Sequence, residues 1–163
     1  MRRMKLFSVS AALAALALIV VASKTKLWAQ STTGTAVLFN YVTNQANFDS
    51  KVVISNTTMD PLGTTPTAGT CTLNYYGNTN GGIAPPAQQS TAVQPGTQLT
   101  FTLSGGGDHG ISATPGFSGY IIASCGFPFA QGTATISDVG GQKYMSLVPG
   151  LVLSRGSLVA TGQ

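Results

Sequence analysis

From about residue 30 onward, apolar and polar positions alternate in short runs, and Gly, Pro, Ser, Thr and Asn cut those runs at intervals of roughly ten residues. The cleanest case is residues 97–103, where Leu99, Phe101 and Leu103 share one face and Gln98, Thr100 and Thr102 the other. A period of two means a half-buried strand. The same reading predicts strands over residues 35–43, 51–56, 70–76, 119–125 and 133–137, and a last run over 143–153 that Pro149-Gly150 interrupts. No segment after residue 30 keeps the spacing of an amphipathic helix for three turns. Seven short strands predict an all-β chain folded as a single antiparallel β-sandwich, with immunoglobulin-like topology as the leading arrangement and a small β-barrel as the second. Alternation groups Cys71 with Leu73 and Tyr75, and Cys125 with Ala123 and Ile121, so both cysteines face inward. Residues 60–70, 77–96 and 105–110 read as loops, and the twenty-residue second loop is long enough to be either mobile or a binding edge.

The N-terminus follows a different pattern. Arg2, Arg3 and Lys5 precede an apolar stretch from Leu6 to Ala22 broken only by Ser8 and Ser10, the layout of a secretory signal. Residues 1–29 are therefore expected to be a signal peptide, cut after Ala29 or alternatively after Ser23, and residues 30–163 the single exported domain. An uncleaved helix is the rival and would be the one route to the membrane. No cysteine precedes Cys71, so a lipobox is absent. The expected location is secreted or periplasmic.

Removing residues 1–29 reverses the charge balance, because five of the eight basic residues leave with them. Lys51, Lys143 and Arg155 remain against Asp49, Asp60, Asp108 and Asp138, a formal net charge of −1 with no Glu. Three scattered cations cannot displace the counterions of a phosphate backbone, which excludes nucleic acid as a partner. Weak charge also leaves little repulsion between copies, so self-association is an expected possibility beside cell-surface proteins or glycans. In an oxidising compartment Cys71 and Cys125 are expected to form a structural disulfide, without the C-x-x-C spacing of a redox site.

Candidate chemistry is sparse. His109 is the one histidine, and Asp108-His109 lies in a glycine-rich loop whose simplest reading is a solvated turn. Gly116-Phe117-Ser118-Gly119 falls short of a nucleophile elbow because Tyr120 stands where the last glycine belongs. Asp49, Asp60 and Asp138 have no calcium-loop spacing, and no cofactor or metal is expected. Asn56-Thr57-Thr58 has the form of a glycosylation sequon. Tyr75-Tyr76, Tyr120, Phe127, Phe129 and Tyr144 could make a sugar-stacking platform, with Tyr76 as the ligand contact if Tyr75 points inward.

Residues 39–57 (FNYVTNQANFDSKVVISNT), 69–77 (GTCTLNYYG) and 116–138 (GFSGYIIASCGFPFAQGTATISD) resemble a set of small exported bacterial β-domain proteins to which no activity is assigned. The resemblance implies an exported β-domain with paired cysteines and transfers no site residue. The expected function is non-enzymatic, in surface structure, adhesion or assembly. A carbohydrate or small-ligand binding domain is the alternative, and a hydrolase built on His109 a distant third.

Overall fold

The structure, a computed structural model, describes residues 34–139 and 143–153. The expected signal segment lies outside the described residues. Every regular element described is a strand: β1 (Thr35–Thr43), β2 (Phe48–Asn56), β3 (Cys71–Asn78), β4 (Gln88–Gln89), β5 (Gln98–Thr102), β6 (Gly106–Gly107), β7 (Ser118–Cys125), β8 (Ala130–Asp138), β9 (Met145–Pro149) and β10 (Leu151–Leu153). They form two antiparallel five-stranded sheets, a first in the order β10-β1-β7-β3-β4 and a second in the order β6-β5-β2-β8-β9. The all-β sandwich reading therefore holds. The barrel alternative does not describe it, since the strands make two sheets with edges.

Alternation explains which side chains meet between the sheets. Val37, Phe39, Leu73 and Ile121 of the first sheet and Val52, Ile54, Leu99 and Phe101 of the second are all buried in one core. Burying a large aliphatic or aromatic side chain contributes about 1.5–3 kcal/mol each. Loop residues close the ends of this core, with Val93, Ile111, Phe117 and Phe127 buried among the strand side chains.

The chain changes sheets between β9 and β10 at Gly150, whose N–H donates to the Gly132 carbonyl at 2.8 Å. A Cβ at Gly150 would approach that carbonyl oxygen and Val37 Cγ1 to 2.7 Å each, so the corner requires glycine. At the other margin the two sheets end in the two-residue strands β4 and β6.

Cys71 and Cys125 are directly opposed on neighbouring strands β3 and β7 and are bonded, S–S 2.07 Å. Both are buried, as alternation predicted. Their bridge lies within one sheet, whereas the antibody-type disulfide joins the two sheets. It encloses the excursion through β4, β5 and β6 and fixes the pairing of β3 with β7.

Candidate functional site

Five residues beyond the disulfide along the same ladder, Tyr76 on β3 stands opposite Tyr120 on β7. Tyr75 and Ile121 are buried, so alternation turns Tyr76 and Tyr120 outward, where they are 42% and 40% exposed. Their rings stack with centroids 4.8 Å apart and planes 11° apart. Each ring gives one face to its neighbour.

Strict alternation along β1 would put Tyr41 on the buried face with Val37 and Phe39. A bulge prevents it. Phe39 pairs with Ile121 and Val42 with Gly119, so Asn40 and Tyr41 together oppose the single residue Tyr120. The extra residue turns both outward and returns Val42 to the core, leaving Tyr41 exposed. Bulges commonly redirect side chains in this way beside functional sites. Tyr41, Tyr120 and Tyr76 thus occupy one row across three adjacent strands, about 10 Å from first to last at two inter-strand spacings.

The chain is held on both sides of this row. Beyond the bulge, Asn44 N–H donates to the Phe117 carbonyl at 2.7 Å, and Gly116 N–H donates to Asn44 Oδ1 at 2.9 Å. Thr43 N–H donates to the buried Ser50 Oγ at 2.8 Å, and that hydroxyl donates back to the Thr43 carbonyl at 2.9 Å. On β7, Gly119 faces Gly77 of β3, and a Cβ at Gly119 would overlap the Tyr76 carbonyl oxygen. This close approach sets the two tyrosine strands at their observed separation.

The electrostatic character of the face is uniform. None of the five strands of the first sheet contains a charged residue, whereas the second sheet carries Asp49, Lys51 and Asp138. Around the tyrosines the register places Asn78 and Ser118 in one flanking row, and Asn74, Ile122, Leu38 and Leu151 in the other. Asn74 Nδ2 donates to the Ile122 carbonyl at 3.3 Å. The neighbouring β3–β4 hairpin keeps Leu73 opposite Gln88 and closes with Thr79 N–H on the Ile83 carbonyl at 3.2 Å. Pro85 lines an open groove of about 530 Å³ together with Pro86, Gln88, Gln89 and Ser112. The 77–96 segment is mostly loop, paired with β3 only at Gln88–Gln89, and it borders that groove.

The other candidates do not join this site. Asp108 Oδ1 accepts from Thr100 N–H at 2.8 Å, while His109 Nδ1 meets Thr91 Oγ1 at 3.1 Å, so the adjacent pair serves two different partners. His109 and Gly110 have φ of 54° and 78°, the backbone of a tight turn. Ser118 begins β7 and Phe117 is buried edge-on against Tyr75, so residues 116–119 are a turn into a strand. Asp49 lies near the start of β2 and Asp60 beyond its far end, and among the described residues no group of three His, Cys, Asp or Glu side chains could hold a metal ion. Asn56 is buried, and its Nδ2 donates to the Thr67 and Val93 carbonyls at 2.9 and 3.0 Å, which takes the sequon out of reach of a glycan. Phe127 is buried, and Tyr144 is exposed next to β9 on the second sheet.

Comparison of the chain with known protein families, with curated proteins and with solved structures gives no match.

Proposed function

We propose that this protein is an exported, non-enzymatic module that acts in surface structure, adhesion or assembly through the outer face of its first sheet. The observation that carries the reading is the row Tyr41, Tyr120 and Tyr76 on a sheet without a charged residue. Amphipathic rings exposed on a rigid scaffold contribute binding area at little entropic cost. Export is supported by the N-terminal pattern and by the disulfide, which suits an oxidising compartment. Immunoglobulin-like topology belongs to the same proposal. In its support, the orders β1-β7-β3 and β2-β8-β9 follow the B-E-D and C-F-G orders of immunoglobulin sheets, with β10 beside β1 in the place of strand A. Carbohydrate or small-ligand binding is the second reading, favoured by the partial exposure of the stacked pair.

The test is retention of the full exported chain on the surface of the cells that make it. Wild type should stay bound through washing, and Tyr76→Ser/Tyr120→Ser, checked for an intact disulfide and far-ultraviolet spectrum, should bind about tenfold more weakly, roughly 1.4 kcal/mol. Equal retention of the two proteins would refute the role of this face. Turnover in a broad hydrolase screen, abolished by His109→Ala, would refute the non-enzymatic reading.

A further inference from the structure

We infer that the ligand of the tyrosine row is an uncharged polysaccharide that presents flat pyranose faces; the inference rests on the binding face proposed above and names what it takes. Charge is the first argument. A polyanion or polycation laid on the first sheet would lose hydration and find no opposite charge in any of its five strands. The charged strand positions, Asp49, Lys51 and Asp138, all belong to the second sheet.

Ring geometry is the second argument. The C–H groups on a pyranose face carry slight positive charge and complement the negative face of an aromatic ring. Tyr76 and Tyr120 are stacked on each other at 4.8 Å, which holds both rings in place while each stays partly exposed. The bulge adds Tyr41 on the Tyr120 side. A ligand on this face would therefore meet aromatic rings on three adjacent strands.

The flanks provide the third argument. The Asn78–Ser118 pair borders the row on one side with neutral donors and acceptors, and Asn74 stands on the other among Ile122, Leu38 and Leu151. Sugar hydroxyls can satisfy both kinds at once. A purely apolar partner would bury the Asn78 amide and the Ser118 hydroxyl without partners, at a cost that opposes binding.

Affinity electrophoresis tests the inference, with the full exported chain run through gels containing hydroxyethylcellulose, glucomannan or dextran, and alginate as the polyanion. Wild type and Tyr144→Ala, whose change lies next to β9 on the second sheet, should be retarded by at least one neutral polymer and not by alginate. Tyr76→Ala/Tyr120→Ala and Tyr41→Ala should weaken the apparent affinity by about tenfold, roughly 1.4 kcal/mol. Absence of retardation by every neutral polymer, equal retardation of the tyrosine variants, or retardation by alginate alone would overturn the inference. If the tyrosine changes abolish cell retention while no polysaccharide retards the protein, the glycan assignment falls and the adhesion reading stands. If cell retention is also unchanged, both fall.

Discussion

Replacing Tyr75 by Phe should stabilise the protein, although it removes a polar group from a core that contains few. The Tyr75 ring is buried at 6% exposure and packs edge-on against Phe117 with centroids 5.4 Å apart. Its hydroxyl has no hydrogen-bond partner among the described residues. An unsatisfied buried hydroxyl costs about 1–3 kcal/mol, and deleting a single oxygen forfeits only a small part of the packing, so Tyr75→Phe should gain about 0.5–2 kcal/mol. Burial also pushes the phenol up from 10.0 to about 12. The folded state therefore holds its proton where the unfolded chain has released it. Stability attributed to this group is complete below pH 10.0 and is lost as pH rises toward about 12. The loss should reach about 1–2 kcal/mol after allowance for partial solvent screening. Urea titrations followed by far-ultraviolet circular dichroism, at neutral pH and at steps up to pH 11, would measure both effects. A neutral-pH loss of more than about 1 kcal/mol in Tyr75→Phe would mean that the hydroxyl has a partner. The same alkaline decline in both proteins would place its origin elsewhere.

Cys71→Ser opens a loop of 54 residues and should lower stability by about 2–5 kcal/mol, read as a shift of the denaturation midpoint that reduction of the wild type reproduces. Gly119→Ala forces a Cβ toward the Tyr76 carbonyl and to 2.9 Å from Gly77 Cα, so it should cost about 1–3 kcal/mol and separate the stacked rings, visible as a change in the tyrosine circular dichroism. N-terminal sequencing of the exported protein should begin at Gln30. Trp28 would then be gone and tryptophan emission absent, and recovery of an intact N-terminus in the membrane fraction would refute release.

Much of this fold can be read along single strands, because the core requires one face of each strand to be apolar. Leu99, Phe101 and Leu103 announce β5, and Val52 and Ile54 announce β2. The two-residue strands β4 and β6 carry no such period, since Gln88-Gln89 and Gly106-Gly107 owe their pairing to neighbours already in place. The site was half legible. Burial of Tyr75 turns Tyr76 outward by alternation alone, and burial of Ile121 turns its chain neighbour Tyr120 outward in the same way. Tyr41 was not legible, because its orientation depends on an inserted residue opposite Tyr120, a property of the pairing of two strands rather than of either sequence. The cysteines were correctly turned inward, yet facing inward does not distinguish a bridge within a sheet from one between sheets. For Asn56 the sequon is a match in form alone, because its amide is consumed by the Thr67 and Val93 carbonyls.

The five tyrosines provide their own internal controls for the claim that the first sheet's outer face is the working surface. Tyr41, Tyr76 and Tyr120 form the row, Tyr144 is exposed next to the second sheet, and Tyr75 is buried. Nitration followed by peptide mass spectrometry should therefore be compared for the free exported protein and for the protein bound at its native surface. The account predicts that the three row tyrosines react in the free protein and are protected in the bound one, with Tyr144 reactive in both and Tyr75 in neither. Protection of Tyr144 while the row stays fully reactive would contradict it.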